Sequence, residues 1–236
     1  MSASSSFLIS FSSCLFLMIL LGACSQKLPA QLEIRHNAAD WKHMKQGPDS
    51  MQLVDLEKFI PGLKKDIHYA TTGNFTGRIL YNQPAIFLRK TAAEKLGMVQ
   101  DSLHKLGLQL IVFDGYRPYQ VTRKMWEVIP DERYAANPAK GSGHNRGIAV
   151  DLSLADLKTG EPLKMPTGYD SFTDTAHAGF PHLPDENIRN REMLKSVMMH
   201  FGFLPLETEW WHFYLPAANR YPLMNFSFKA LRKWGL

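Results

Sequence analysis

The stretch SGHNRGIAVDL, residues 142–152, most constrains how this chain can fold. From Ile148 onward aliphatic residues alternate with others, which is typical of a strand that turns one face toward a core. The alternation puts Asp151 on the face opposite the aliphatic side chains, and Gly147 permits a sharp bend before the strand. Because a buried carboxylate is costly without compensation, we expect a cation beside Asp151, either a side chain such as Arg146 or a metal ion.

The length and composition favour one domain with a single core. The chain has 236 residues, of which 45% are hydrophobic and 21% are charged, so a second domain is not required. No internal repeat of solenoid or propeller length is present. The formal net charge is +5, but the basic residues are scattered among acids, so nucleic-acid binding is not expected.

The N-terminal segment predicts export. Phe7 to Leu21 is almost wholly apolar and uncharged, too short for a comfortable membrane span and typical of a secretory signal. It ends in LGAC, which resembles the lipobox of bacterial lipoproteins and implies lipid attachment at Cys24. A plain cleaved signal and an uncleaved anchor remain alternatives, because no Lys or Arg precedes the apolar run. We expect a lipoprotein signal peptide at residues 1–23 and a lipid-anchored protein in the bacterial cell envelope, facing the periplasm.

The two cysteines predict a domain without disulfides. Cys14 lies in the segment that would be removed and Cys24 would carry the lipid, so the mature chain keeps no thiol for a disulfide. Any metal site must then be built from His, Asp and Glu. Residues 24–50 are polar and lack apolar periodicity, so they are predicted to form a lipid-anchored tether, and the domain is predicted to span residues 51–236.

Hydrophobic periodicity predicts helices and strands in mixed order. Apolar residues at three-and-four spacing from Leu88 to Leu106 predict a helix with one buried face, and LQLIVF at residues 108–113 predicts an interior strand. The other predicted elements are strands at residues 63–70, 148–154 and 210–215 and helices at residues 121–128 and 185–201. This order favours an α+β fold with a mainly antiparallel central sheet flanked by helices.

Four residues near predicted strands can form a metal centre: His144, Asp151, Glu209 and His212. Two imidazoles and one carboxylate are a ligand set for zinc that leaves a fourth position for water, as in catalytic sites. His144 and Asp151 are seven residues apart, so a straight strand would separate them, whereas a bend at Gly147 can bring them together. Glu209 is expected in the turn that enters the strand of His212, a position that suits a general base acting on water at the metal.

Each of these features also has an ordinary structural explanation. A histidine in an aromatic strand is more often packed than bound to a metal, and Asp151 could cap a turn or pair with Arg146. Asp114-Gly115 is a common turn dipeptide, and Arg117 before a proline could simply begin a helix. These explanations do not account for four such features in an exported chain whose mature part lacks cysteine.

The quoted residues match motifs of a known family. SGHNRGIAVD at residues 142–151 resembles the S-x-H-x-x-G-x-A-x-D signature of zinc D,D-peptidases, and EWWH at residues 209–212 resembles their E-x-W-H motif. The similarity extends over roughly residues 52–225 and is greater to the D-alanyl-D-alanine dipeptidases of the VanX type, in zinc peptidase family M15. The further segments in that family's order are YAT at residues 69–71, NFTG at 74–77, DGYRP at 114–118 and YD at 169–170.

The resemblance implies a Hedgehog/D,D-peptidase-like zinc fold with one Zn²⁺ per chain. It implies that the metal ligands are His144, Asp151 and His212. It also implies that Glu209 is the catalytic acid and base and that Arg117 stabilises the oxyanion that develops toward the transition state.

The resemblance further implies how a dipeptide is held. Asp170, together with Tyr69, would bind its free ammonium group, and Ser142 would help to fix its far end. A negative group at the amine end recognises a free N-terminus and rejects longer peptides, in which that nitrogen is an amide. At Gly73 the family more often has an acid, and its best-known members lack a lipobox.

The implied function is hydrolysis of the dipeptide D-alanyl-D-alanine, in peptidoglycan turnover and recycling or in glycopeptide resistance. A location outside the cytoplasm favours recycling. One alternative is a D,D-carboxypeptidase that trims wall peptides, which shares the zinc site and differs at the amine end, where Asp170 favours a free dipeptide. Another is a non-catalytic envelope protein that binds a wall fragment or a protein partner, against which Glu209 argues because a binding module needs no base.

Overall fold

The structure is a computed structural model that describes residues 32–216 and 218–236. The predicted signal peptide, Cys24 and the start of the predicted tether lie outside the described residues. Residues Leu32–Leu236 belong to one compact unit. Within the described residues, no helix combines the length and the apolar character that a membrane span requires.

Short strands and helices alternate along the described chain. The strands are β1 (Ile34–Arg35), β2 (Leu53–Asp55), β3 (Lys64–Lys65), β4 (Phe87–Arg89), β5 (Leu108–Asp114), β6 (Ala149–Asp156), β7 (Leu204–Leu206), β8 (Glu209–Tyr214) and β9 (Leu223–Met224). The helices are α1 (Ala38–Gln46), α2 (Leu56–Phe59), α3 (Lys90–His104), α4 (Tyr119–Val128), α5 (Gly143–Arg146), α6 (Asp185–His200) and α7 (Phe228–Lys233).

A five-stranded sheet forms the centre of the fold. Its strand order is β3-β5-β6-β8-β7; β3 runs parallel to β5, and each of the other neighbouring pairs is antiparallel. Two smaller pairings accompany it, a parallel one between β1 and β9 and an antiparallel one between β2 and β4. The predicted α+β fold with a mainly antiparallel sheet is confirmed.

The middle strands of the sheet are buried on both faces. In β6 every residue from Ala149 to Ala155 is buried, including Asp151 and Ser153 on the face away from the aliphatic side chains. An antiparallel strand with one face toward solvent would expose such residues. The predicted alternation therefore separates an aliphatic face from the face that carries Asp151 and Ser153, and both faces are shielded from solvent.

The helix predicted from residue 88 to residue 106 is shorter at both ends. α3 buries Ala92, Leu96, Val99 and Leu103 completely, but Leu88 belongs to β4 and Leu106 is 56% exposed. α3 ends before Gly107, whose positive φ of 72° reverses the chain in a conformation that glycine adopts without strain.

Two predictions near the start of the domain are wrong. The strand predicted at residues 63–70 is reduced to β3 and a 3₁₀ turn at His68–Ala70. The segment predicted as a tether up to residue 50 belongs to the domain from β1 onward, because α1 buries Trp41 and Met44.

Contacts with the C-terminal part of the chain hold α1 in place. The Trp41 ring stacks on Trp234 with 6.2 Å between ring centroids and meets Phe226 edge-on at 5.9 Å. Trp41 and Met44 are the large apolar residues of α1, too few for a periodic pattern. Burial of α1 therefore depends on residues almost two hundred positions away, as the hydrogen bond from Trp41 to Trp234 shows.

Candidate metal centre and active site

The bend at Gly147 brings His144 and Asp151 together, as predicted. Gly147 ends α5 in the left-handed region at φ 73°, and β6 begins two residues later. A side chain at Gly147 would press on Leu53 and Arg89, so both the conformation and the space require glycine. His144 therefore lies on α5 beside the polar face of β6.

His212 reaches the same point from the next strand. Asp151 and His212 are direct partners in the antiparallel register of β6 and β8, which places their side chains on the same face. One ligand atom from each of His144, Asp151 and His212 lies within 4.8 Å of the other two. The sequence prediction that these three residues converge is confirmed.

The three side chains have the geometry and the chemistry of a zinc site. His144 Nε2 lies 3.1 Å from His212 Nδ1 and 3.3 Å from Asp151 Oδ1, and His212 Nδ1 lies 2.9 Å from the same oxygen. A tetrahedral zinc ion about 2.0–2.1 Å from each ligand holds neighbouring ligand atoms roughly 3.3 Å apart. The donor set therefore fits a zinc ion with little adjustment.

The backbone after β5 fixes the orientation of the His144 ring. His144 Nδ1 lies 2.7 Å from the Gly115 carbonyl oxygen, which can only accept, so Nδ1 carries the proton and donates. The lone pair is then on Nε2, the nitrogen that faces Asp151 and His212. Hydrogen bonding of the remote ring nitrogen in this way orients a histidine ligand and increases its basicity.

Arg146 does not compensate Asp151. Its guanidinium donates to the Tyr221 carbonyl oxygen, and the nearest Arg or Lys group to Asp151 among the described side chains is Arg117, with Nη2 3.7 Å from Oδ2. Burial opposes ionisation of Asp151, but the charges and hydrogen bonds of His144 and His212 hold its pKa far below the ordinary value. The carboxylate is therefore anionic and faces the metal position.

Glu209 lies beside this cluster without belonging to it. It is the first residue of β8 and not, as predicted, in the turn before the strand. Its Oε2 is 3.8 Å from His212 Nδ1. Burial raises the pKa of the Glu209 carboxyl to about 7, an effect that His212 partly opposes and Asp151 reinforces. A carboxyl that titrates near neutrality next to a metal position can take up and release a proton.

Arg117 is held by a buried carboxylate at the end of β5. Its Nε donates to Asp114 Oδ2 at 2.9 Å, and its Nη2 lies 2.8 Å from the same oxygen. The guanidinium lies over the Tyr69 ring at 5.3 Å. Asp114 Oδ1 accepts from the Tyr81 hydroxyl at 2.7 Å. The sequence predicts a turn at Asp114-Gly115 and does not indicate that Asp114 holds Arg117.

Asp170 presents an unsatisfied acceptor at the other end of the site. It has a positive φ of 58°, and its Oδ1 accepts from the Tyr69 hydroxyl at 2.9 Å. Among the described residues, no group donates to its buried Oδ2. Burial raises the pKa of Asp170 to about 7, against the opposing effect of the Tyr69 hydrogen bond. A buried carboxylate oxygen without a donor is a site for a cation or another hydrogen-bond donor.

Ser142 caps the N-terminus of α5, and its predicted contact with the substrate stays a prediction. Its Oγ accepts from the Asn145 amide at 3.1 Å, and the Asn145 side chain accepts from the Ser142 amide in return. Asn145 also donates to the Arg117 carbonyl oxygen at 2.9 Å. The Ser142 hydroxyl proton is left for another acceptor, because the cap uses the oxygen only as an acceptor.

One cavity of about 220 Å³ contains all the predicted site residues. They are Tyr69, Arg117, Ser142, His144, Asp151, Asp170, Glu209 and His212. Residues 132–136, after α4, form a further part of its wall that no sequence motif indicated. The cavity is smaller than the roughly 300–1,000 Å³ typical of drug-sized ligands, so it suits a small substrate with both cationic and anionic groups to match.

Comparisons with known proteins identify relatives over most of the chain. The Peptidase_M15 family model, described as D-ala-D-ala dipeptidase, matches residues 49–230. The D-alanyl-D-alanine dipeptidase of Escherichia coli (strain K12) is 38% identical over 182 residues, which cover 77% of this chain and 94% of that protein. The protein of the same name from Streptomyces coelicolor is 32% identical over 180 residues, covering 68% of this chain and 89% of that protein.

Among solved structures, the chain is similar to the LdcB LD-carboxypeptidase. The identity is 19%, the TM-score is 0.40, and the alignment covers 73% of this chain and 72% of that one. Structural similarity at this level indicates neither the substrate nor the mechanism.

Replacing Asp170 by Asn is expected to stabilise the metal-free protein at neutral and higher pH. The folded-state pKa of Asp170 is raised from 3.8 to about 7. Between these two pH values the Asp170 carboxyl is ionised in the unfolded chain and protonated in the folded protein, so the stability of the folded protein falls as pH rises. Asn stays neutral and tolerates the positive φ. The variant should match the wild type near pH 3 and exceed it above pH 7 by roughly 1–4 kcal/mol, measured by urea unfolding across this range.

The matched control is Asp174→Asn, whose side chain is 89% exposed. This variant should change stability by no more than about 0.5 kcal/mol at any pH. A stability difference between wild type and Asp170→Asn that stays constant with pH would contradict the raised pKa.

Proposed function

The chain belongs to the Peptidase M15 family of D-Ala-D-Ala dipeptidases, and on that premise we propose that it hydrolyses D-alanyl-D-alanine to two molecules of D-alanine. One observation carries the proposal. The unpartnered Asp170 carboxylate oxygen and the three-residue metal site open into the same small cavity. A substrate held by its ammonium group at Asp170 therefore has its first peptide bond close to the metal.

The proposed cofactor is one Zn²⁺ bound by His144, Asp151 and His212. When bound, it supplies a Lewis acid that polarises the scissile carbonyl and lowers the pKa of water. The protein contributes the cavity, the orientation of the ligands and the groups that move protons.

Glu209 is the proposed general base and acid. Its carboxylate accepts a proton from the attacking water and donates that proton to the leaving amine, so one residue serves both halves of the reaction. A pKa of about 7 in the metal-free site is close to the value at which a group performs both tasks at neutral pH.

Arg117 is the proposed stabiliser of the oxyanion. Asp114 and the Tyr69 ring fix its guanidinium at the cavity wall, so little reorganisation is needed when negative charge develops on the carbonyl oxygen. Asp170 and Tyr69 are proposed to hold the ammonium group, and Ser142 is proposed to donate to the terminal carboxylate.

Glu209→Gln is expected to lower kcat by about 10²–10⁴-fold because the amide cannot take a proton from water. Zinc content should stay at one per chain, since Glu209 is outside the ligand set. Hydrolysis of D-Ala-D-Ala by purified protein and metal analysis check both points. Glu207→Gln, two residues earlier and exposed, is the matched control and should keep wild-type activity. Undiminished turnover by Glu209→Gln would contradict the role of Glu209 as general base, whereas absence of any turnover by the zinc-loaded wild-type protein would favour a non-catalytic binding protein.

A substrate panel separates the dipeptidase from the alternative carboxypeptidase. Free D-Ala-D-Ala should be cleaved with a higher kcat/KM than its N-acetylated form, because acetylation removes the charge that Asp170 binds. Asp170→Asn should reduce kcat/KM on the free dipeptide and bring it closer to the kcat/KM on the acetylated form. A chelator should abolish cleavage of both substrates. Preferential cleavage of the acetylated substrate would instead identify a D,D-carboxypeptidase.

We propose further that the protein is a lipoprotein of the bacterial cell envelope, facing the periplasm and acting in peptidoglycan recycling rather than in glycopeptide resistance. The support is the apolar segment Phe7 to Leu21 followed by LGAC. An enzyme outside the cytoplasm meets D-Ala-D-Ala released from the wall and not the precursor pool.

Replacing Cys24 by Ser is expected to move the protein from the membrane fraction to the soluble envelope fraction, because serine does not accept the lipid. Fractionation and detergent phase partitioning of cells that express each form measure this. The purified domain should hydrolyse the dipeptide equally well in both forms. Equal membrane association of the two forms would rule out a lipid anchor at Cys24.

A further inference from the structure

The Tyr169 hydroxyl lies between the metal position and the amine end of the cavity. Its oxygen is 2.9 Å from Asp151 Oδ2 and 3.1 Å from the Tyr69 oxygen. The Tyr69 oxygen is in turn 2.9 Å from Asp170 Oδ1. Two carboxylates and two hydroxyls therefore form one continuous row of oxygen atoms.

The number of protons decides how this row is connected. With both carboxylates ionised, the two tyrosine hydroxyls supply two protons for three oxygen-oxygen contacts, and each carboxylate can only accept. Hydrogen bonds to ionised acceptors are shorter and stronger than those between neutral groups. Tyr169 therefore donates to Asp151, and Tyr69 donates to Asp170.

The two oxygens of Asp151 have different surroundings as a result. Oδ1 faces His144 Nε2 at 3.3 Å and His212 Nδ1 at 2.9 Å. Oδ2 faces away from the two imidazoles, toward Tyr169 and the more distant Arg117. A hydrogen bond to Oδ2 fixes the rotation of the carboxylate and leaves Oδ1 directed at the metal position.

We propose that Tyr169 is a positioning residue of the metal centre, which holds Asp151 so that it binds the metal through Oδ1 alone. This inference rests on the proposed zinc site. Tyr169 contacts the carboxylate and not the metal position, so it acts through Asp151.

Packing makes the Tyr169 hydroxyl a rigid donor. The ring lies 4.7 Å from Phe113, 5.5 Å from Trp211 and 5.6 Å from His68, measured between ring centroids. Phe113 belongs to β5 and Trp211 to β8, so residues of the two strands on either side of β6 hold the Tyr169 ring against Asp151. Second-layer groups of this kind are effective when their own rotamers are locked.

Tyr169→Phe tests the proposal because it removes the hydroxyl and keeps the ring. We expect its zinc affinity, measured by competition with a chromophoric chelator, to fall by about 10–100-fold. The visible absorption of the cobalt-substituted variant should weaken relative to the wild type, because a released carboxylate can bind through both oxygens and raise the coordination number. The thermal stability of the metal-free protein, measured in parallel, shows whether the fold is retained.

Two further variants separate orientation of Asp151 from a general effect of losing a hydroxyl. Tyr119→Phe removes a hydroxyl that donates to the Pro138 carbonyl oxygen at 3.0 Å and should keep wild-type zinc affinity. Tyr69→Phe removes the neighbouring hydroxyl of the same row and should raise KM for D-Ala-D-Ala while leaving zinc affinity unchanged.

The outcomes that overturn the proposal are distinct from those that overturn the proposed function. Zinc affinity of Tyr169→Phe within about twofold of the wild type, with an unchanged cobalt spectrum, would show that the hydroxyl does not position Asp151. Equal weakening in Tyr69→Phe and Tyr169→Phe would also overturn it. Failure of the wild-type protein to bind zinc would instead contradict the zinc enzyme itself.

Discussion

The site depends on the pairing of Asp151 with His212 across β6 and β8. Side chains directly opposite each other in an antiparallel pair share one face, so the backbone register sets the distance between two of the three metal ligands. The same strands carry the aliphatic core on their other face, where Val150 and Leu152 are completely buried. A slip of one residue would exchange the two faces, so the register that builds the core also builds the site.

The charges around this pair explain why the metal-free site is unfavourable. Asp151 is buried, Asp170 and Glu209 are half-buried in the same cavity, and Arg117 is already paired with Asp114. The pKa values of Glu209 and Asp170 rise to about 7 because burial and the neighbouring carboxylates disfavour ionisation. A divalent cation at His144, Asp151 and His212 would offset this negative charge and favour the ionised form of Glu209 that accepts a proton.

The features that sequence reasoning predicted depend on local patterns. Alternation around Asp151 and the glycine at position 147 were enough to predict that His144 and Asp151 converge. A continuous apolar run predicted β5, and apolar residues at three-and-four spacing predicted α3. α1 was missed because its burial depends on Trp234 and not on its own periodicity. Tyr169 was quoted only as part of a motif, because it lies in the irregular segment between β6 and α6, where no periodicity indicates which neighbours a side chain meets.

In the proposed function, specificity for a free dipeptide follows from the missing donor at Asp170. Its Oδ2 has no donor among the described residues, so a substrate with an ammonium group supplies a hydrogen bond and a charge that the protein itself does not. A substrate acylated at this nitrogen has no positive charge to offset the Asp170 carboxylate. Part of the hydrogen-bonding capacity of Oδ2 then stays unpaired, which costs about 1–3 kcal/mol, or more for a charged group. Sites built to bind a particular polar group therefore reject analogues that lack it more strongly than apolar pockets reject a misfit. Asp170, with its left-handed backbone, lines the cavity from an irregular loop. The proposed discrimination therefore originates outside the sheet, whereas the proposed metal ligands and Glu209 lie on the sheet and on α5.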